Sequence, residues 1–191
     1  MLQKISTRNI CALAMGLLIS CCFGISLGQA SEKHKKEHDH EKRQLESHEH
    51  GVSTLKIALE GQSLEMQLES PANDIVGFEH APENKIQKTA VARALTLLKS
   101  KSGIFKTPSA ANCRIDNVSG DFEVEKDHAG FHIIWKIICL SPKQLNNLET
   151  TFFQKFPKAK EIEVEVISAS GQKAIEWEND VKMIKLPALS K

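Results

Sequence analysis

From residue 52 onward, apolar and polar positions alternate with period two. Leu55, Ile57 and Leu59 alternate with Thr54, Lys56 and Ala58. After Glu60-Gly61-Gln62-Ser63, Leu64, Met66 and Leu68 alternate with Glu65, Gln67 and Glu69. Successive side chains of a strand point to opposite faces, so this pattern predicts two half-buried antiparallel strands joined by a turn. Ser70-Pro71 closes the second strand, because proline cannot donate to a ladder. Residues 71–84, PANDIVGFEHAPEN, read as a loop. The period then changes. Ile86, Ala90, Ala94, Leu97 and Leu98 fall on one stripe of a helix that Asn84 can cap and that runs to about Lys99, before Ser102-Gly103 stops it.

Three strand-like runs follow, at residues 112–117, 121–126 and 131–139. The last, FHIIWKIIC, is apolar on both faces except for His132 and Lys136, which predicts a central position in the sheet. A second helix is predicted from Ser141. Serine is a good cap, Pro142 suits the first helical position and Gln144 completes a capping box. Leu145, Leu148, Phe152, Phe153 and Phe156 form its apolar face, and Pro157 ends it. Ile162, Val164 and Val166 alternate with Glu161, Glu163 and Glu165 in another strand, and residues 174–178 return after Gly171-Gln172. The expected fold class is α+β: a mostly antiparallel β-sheet with two helices packed on it.

The start of the chain does not belong to that domain. Lys4 and Arg8 precede an uncharged apolar run at residues 10–27, and Gly28-Gln29-Ala30 places small residues before a cut after Ala30. Residues 1–30 therefore read as a secretory signal peptide. Two rival readings are a retained anchor and a lipoprotein in which Leu18-Ile19-Ser20-Cys21 serves as a lipobox, the one route by which the membrane would be a partner. All three place the remaining chain outside the cytoplasm, in the periplasm. Residues 31–46 form a polar, His-rich tail with too little apolar surface to offset its ordering entropy, so disorder is expected there. Residues 47–191 are left as a single domain.

Export changes the reading of the cysteines. Cys11, Cys21 and Cys22 lie in the leader, leaving Cys113 and Cys139 as an even pair, which in an oxidising compartment is usually a disulfide. The rival, two thiolate metal ligands, lacks a second Cys or a His within four residues of either. A net charge of +1, no basic stripe and 5% aromatic residues argue against nucleic acid as a partner.

The histidines carry the functional argument. His34, His38 and His40 lie in the tail, His48 and His50 at the domain edge, His80 beside Glu79 in the loop, and His128 and His132 near the mouth of the central hairpin. Imidazole suits zinc, copper and nickel, and carboxylates can complete such a site. In an extended chain His48 and His50 project to one side roughly 6.5 Å apart. That separation suits a site completed by a distant residue, for which Glu79 or His80 is the natural candidate. A tight hairpin would bring His128 and His132 within reach of each other. The metal-ligand candidates are thus His48, His50, Glu79, His80, His128 and His132. The structural alternative makes each an exposed or hydrogen-bonded histidine of an envelope interaction module. No nucleophile elbow, P-loop or dinucleotide fingerprint occurs, so no enzymatic activity is expected; a metal-dependent hydrolase, which needs no local motif, is the weaker alternative.

Several strings together resemble a known family. They are SHEHGV at 47–52, PANDIVGFEHAPE at 71–83, Ala111-Asn112-Cys113, Cys139-Leu140-Ser141-Pro142, FFQKFP at 152–157 and Gly171-Gln172. They resemble the ZrgA-like zinc-regulated envelope proteins over nearly the whole chain after the leader. The resemblance implies a periplasmic protein that binds Zn2+ and supports its uptake, with a zinc importer or its binding protein as partner. It also implies a Cys113–Cys139 disulfide and puts His48, His50, Glu79 and His80 in the signature strings. One departure concerns the hairpin at 126–132, which is short here where relatives often carry a long His/Asp-rich insert. The N-terminal His tract is the candidate to take over that insert's role.

Overall fold

The computed structural model describes residues 50–100, 103–126 and 128–187. The leader, the His-rich tail and His48 lie outside the described residues. Strand β1 (Val52–Glu60) and β2 (Ser63–Pro71) form the expected hairpin, with Leu55 opposite Leu68 and Ile57 opposite Met66. After α1 (Ala72–Val76) and α2 (Lys85–Leu98) come β3 (Phe105–Lys106), β4 (Cys113–Glu125) and β5 (His128–Cys139). The chain closes with β6 (Asn147–Thr150), α3 (Phe152–Lys155), β7 (Glu161–Ser168), β8 (Gly171–Glu178) and β9 (Met183–Lys185).

Six strands make the main sheet, in the order β4-β5-β2-β1-β7-β8. Every neighbouring pair is antiparallel except β1 and β7, which run parallel with Val52 opposite Glu161. Strands β3, β6 and β9 form a second, smaller antiparallel sheet. One face of the main sheet supplies Leu55, Ile57, Leu64, Met66, Leu68, Phe131, Ile133, Trp135, Ile162, Val164 and Trp177 to the core. Leu98, Phe105, Leu148, Phe152 and Ile184 complete the same core from the helices and the small sheet. Phe105 stitches the two layers, meeting Trp135 edge-on at 5.6 Å and Trp177 at 6.1 Å. The opposite face keeps the polar alternates, as a one-sided antiparallel sheet should.

Four local expectations are corrected. The loop at 71–84 contains a five-residue helix, α1, between Pro71 and the left-handed Gly77. The runs at 112–117 and 121–126 are one strand, β4; a bulge between Ile115 and Asn117 and a left-handed glycine at Gly120 mimic a break. An added Cβ at Gly120 would strike the backbone of His132 and approach the Ile133 Cα to 2.7 Å, so only glycine lets β4 run this close to β5. Helix α2 is capped as expected, with Gln87 N–H donating to Asn84 Oδ1 at 3.0 Å, but its buried face is Val91, Ala94 and Leu98, while Ile86 and Leu97 are exposed.

The fourth correction is the predicted second helix from Ser141, which divides into a 3-10 turn (Pro142–Gln144), β6 and α3, so the described residues hold three α-helices rather than two. Ser141 makes no side-chain cap, and Thr150 Oγ1 instead donates to Ile104 O at 3.0 Å and accepts from Phe152 N–H at 3.0 Å. Pairing with β3 and β9 satisfies the backbone here, which outweighs the local helix signals. Cys113 and Cys139 are register partners across β4 and β5 and are disulfide-bonded. Among the described residues no helix is long and apolar enough to cross a membrane.

Candidate metal site

The start of β1 is clamped to α1 by a buried carboxylate. Asp74, 3% exposed, accepts a 2.9 Å hydrogen bond from Gly51 N–H at Oδ2. Gly51 is buried at φ 93, a backbone conformation that favours glycine, and its carbonyl accepts from Lys160 and Glu161 N–H at 2.8 and 3.0 Å. The clamp sets the direction from which His50 leaves the strand. Helix α1 ends where Gly77 N–H donates to Asn73 O at 3.1 Å, and the chain then turns so that Phe78 packs on the core beside Phe122. Glu79, next in line, turns back toward His50.

His50 Nε2 and Glu79 Oε2 lie 3.6 Å apart, with the histidine largely exposed and the carboxylate half-buried. On the other side of the ring, His50 Nδ1 meets Asn73 Nδ2 at 3.1 Å. Lys158 Nζ donates to Asn73 Oδ1 at 3.5 Å. His80 has its ring 5.1 Å from that of Phe78. Its Nδ1 faces the Ala81 carbonyl at 2.8 Å, and a carbonyl only accepts, so Nδ1 carries the proton and Nε2 keeps its lone pair. Glu83 Oε1 stands 3.9 Å from the same Nδ1.

Burial raises the pKa of Asp74 above its ordinary value, and the Glu79 charge pushes the same way. The Gly51 N–H, His50 and Lys158 pull it back without cancelling the burial effect. A carboxyl whose folded pKa is raised contributes stability that is complete below its unfolded pKa and is lost as pH rises through the folded value. In metal-free buffer, the unfolding free energy of the protein minus that of Asp74→Asn should therefore fall as pH rises from the ordinary carboxylate range towards neutrality. Urea titrations across that range check it; a difference that grows with pH would mean the Gly51 hydrogen bond outweighs burial.

The hairpin does not bring the other two histidines together. His128 and His132 share one face of β5 but stand four residues apart, roughly 13 Å along a strand. His128 faces Glu125, and His132 sits between Asp121 of β4 and Glu69 of β2. His132 Nδ1 lies 3.8 Å from Glu123 Oε1, and its Nε2 is buried with no hydrogen-bond partner among the described residues. His48 lies outside the described residues. Among the described residues no three His, Cys, Asp or Glu side chains converge closely enough to hold a metal.

The sequence reading missed Asn73, Asp74 and Lys158. A signal for the first two was present: Pro71 followed by an acidic residue within one turn marks a helix start. Nothing local marks Lys158, whose approach to Asn73 is a tertiary contact.

A family model described as ZrgA family zinc uptake protein matches residues 47–186. The chain belongs to that family. No curated protein matches it. The ZrgA match begins just before His48 and spans every element from β1 to β9, so His50, Glu79, His80, His128 and His132 all lie within the ZrgA region. Membership attaches the chain to a zinc-related role.

Proposed function

We propose that this protein is a non-catalytic zinc carrier of the cell envelope, exported to the periplasm, which captures Zn2+ and delivers it to an importer or its binding protein. The observation that carries this reading is the facing pair His50 Nε2 and Glu79 Oε2 at 3.6 Å, built on the Gly51–Asp74 clamp inside a zinc-uptake family domain. An imidazole and a carboxylate are ordinary zinc ligands. His48, two residues before His50, and His80, whose Nε2 lone pair is available, are the candidates to complete a four-coordinate site. Zinc-bound ligands must be deprotonated, so capture weakens as pH falls through the histidine range. That dependence suits a carrier that binds reversibly. The His-rich tail adds weak ligands tethered to the domain and raises the local zinc concentration.

Zinc calorimetry with a competing chelator on the mature chain at neutral pH tests the reading. His50→Ala and Glu79→Gln should each weaken binding at least about tenfold, roughly 1.4 kcal/mol, with unchanged melting temperature in the absence of metal. Equal affinity in both variants would move the function away from this pair. Loss of thermal stability without loss of zinc would favour the interaction-module alternative.

A further inference from the structure

His80 of the GFEHAP string and His50 of the HEHG string differ in readiness. His80 donates from Nδ1 to Ala81 O, which leaves Nε2 free to take a metal. His50 is held the other way. Lys158 can only donate, so the Asn73 atom it meets at 3.5 Å is the amide oxygen. The Asn73 amide nitrogen is thereby turned toward His50 Nδ1 at 3.1 Å, and since that nitrogen also only donates, Nδ1 must accept. The proton of neutral His50 then sits on Nε2, aimed at Glu79. A metal cannot occupy a nitrogen that carries a proton.

We propose that Asn73 is the positioning residue for His50 and that Lys158 holds it in the metal-free orientation. This rests on zinc binding through His50 Nε2, the reading given above. When zinc takes Nε2, the ring proton must reside on Nδ1 and needs an acceptor. A half-turn of the Asn73 amide supplies one, placing Oδ1 toward Nδ1–H. The same half-turn points the amide nitrogen at Lys158, donor against donor, so the lysine must withdraw. Lys158 is exposed and free to do so, and Gly77 beside it carries no side chain, where a Cβ would lie in contact with Nζ at 3.4 Å. Metal entry, amide rotation and lysine release are one coupled change. A group that receives the second ring N–H of a ligating histidine sets its tautomer and basicity, and losing it costs about ten- to a hundredfold in metal affinity.

The test uses the mature full-length chain and zinc itself. Asn73→Leu should lower zinc affinity about ten- to a hundredfold, whereas Lys158→Met should raise it. The decisive second readout is the tautomer, from long-range proton–nitrogen correlation spectra of the histidine side chains at a pH where His50 is neutral. Metal-free protein should show His50 protonated on Nε2, zinc-loaded protein on Nδ1. Lys158→Met should move the metal-free population toward Nδ1 protonation, a change that removing a nearby positive charge from a merely structural lysine would not produce. Wild-type affinity in Asn73→Leu, or an unaltered tautomer in Lys158→Met, overturns the proposal while His50→Ala still loses zinc. If His50→Ala binds zinc as tightly as the wild type, the underlying reading has failed, and this proposal with it.

Discussion

Replacing Trp135 with alanine should lower the unfolding free energy by about 3–5 kcal/mol, the largest single-residue loss expected in this domain. Trp135 lies on β5, between β4 and β2, opposite Val118 and Met66. It is 2% exposed and meets Phe105 edge-on. Phe105 in turn stacks at 6.4 Å on Phe152 and touches Trp177, so this one ring supports the contact between the main sheet and the small sheet. Truncation removes a large apolar area and leaves a void that neighbours on rigid strands can only partly fill. Urea unfolding at neutral pH measures the loss. A change below about 1.5 kcal/mol, the range of well-tolerated core swaps, would show that the layers close over the gap and are less firmly packed than the contacts imply.

Removing the Cys113–Cys139 disulfide by a double alanine substitution should cost about 3 kcal/mol and roughly 10 °C of melting temperature. The bond spans 26 positions of sequence, a loop whose closure restricts the unfolded chain. It also has a local effect. Strand β4 is an edge, paired along its length with β5 alone, and its first residue is the one the bond ties down. Beyond it, Leu140 and Ser141 N–H donate to Asn112 and Ala111 carbonyls, so the disulfide anchors the turn that carries the chain from a 3-10 turn at Ser109–Ala111 into β4. Hydrogen exchange should accordingly speed up most at the Cys113 end of β4. Uniform acceleration across the domain would assign the whole effect to the unfolded state.

Much of the strand architecture was legible. The hairpin of β1 and β2, the Asn84 cap, the placement of β5 inside the sheet and the β7–β8 pair follow from period-two alternation and turn residues. Residues 145–156 were misread because Leu145, Leu148, Phe152 and Phe156 satisfy a helical stripe as well as a turn, a short strand and a single helical turn. Periodicity reports which side chains are buried, and both arrangements bury the same ones. The separation of the runs at 112–117 and 121–126 has the opposite cause: the alternation lapses around Gly120, yet the backbone passes through in strand pairing with β5.

The candidate site divides along the same line. Local chemistry singled out His50, Glu79 and His80, because imidazoles with adjacent carboxylates are metal-ligating types whatever the fold. The approach of His50 to Glu79 depends on the Gly51–Asp74 bond, made between residues 23 positions apart. The expected meeting of His128 and His132 was a question of strand spacing: once β5 runs straight from His128, four residues separate them at full extension. Alternation and caps are properties of neighbours along the chain, so sequence alone sufficed for the one-sided sheet and the Asn84 cap. Register between distant strands, the parallel meeting of β1 with β7, and the orientation of the Asn73 amide between His50 and Lys158 depend on partners that only the folded chain brings within hydrogen-bonding distance.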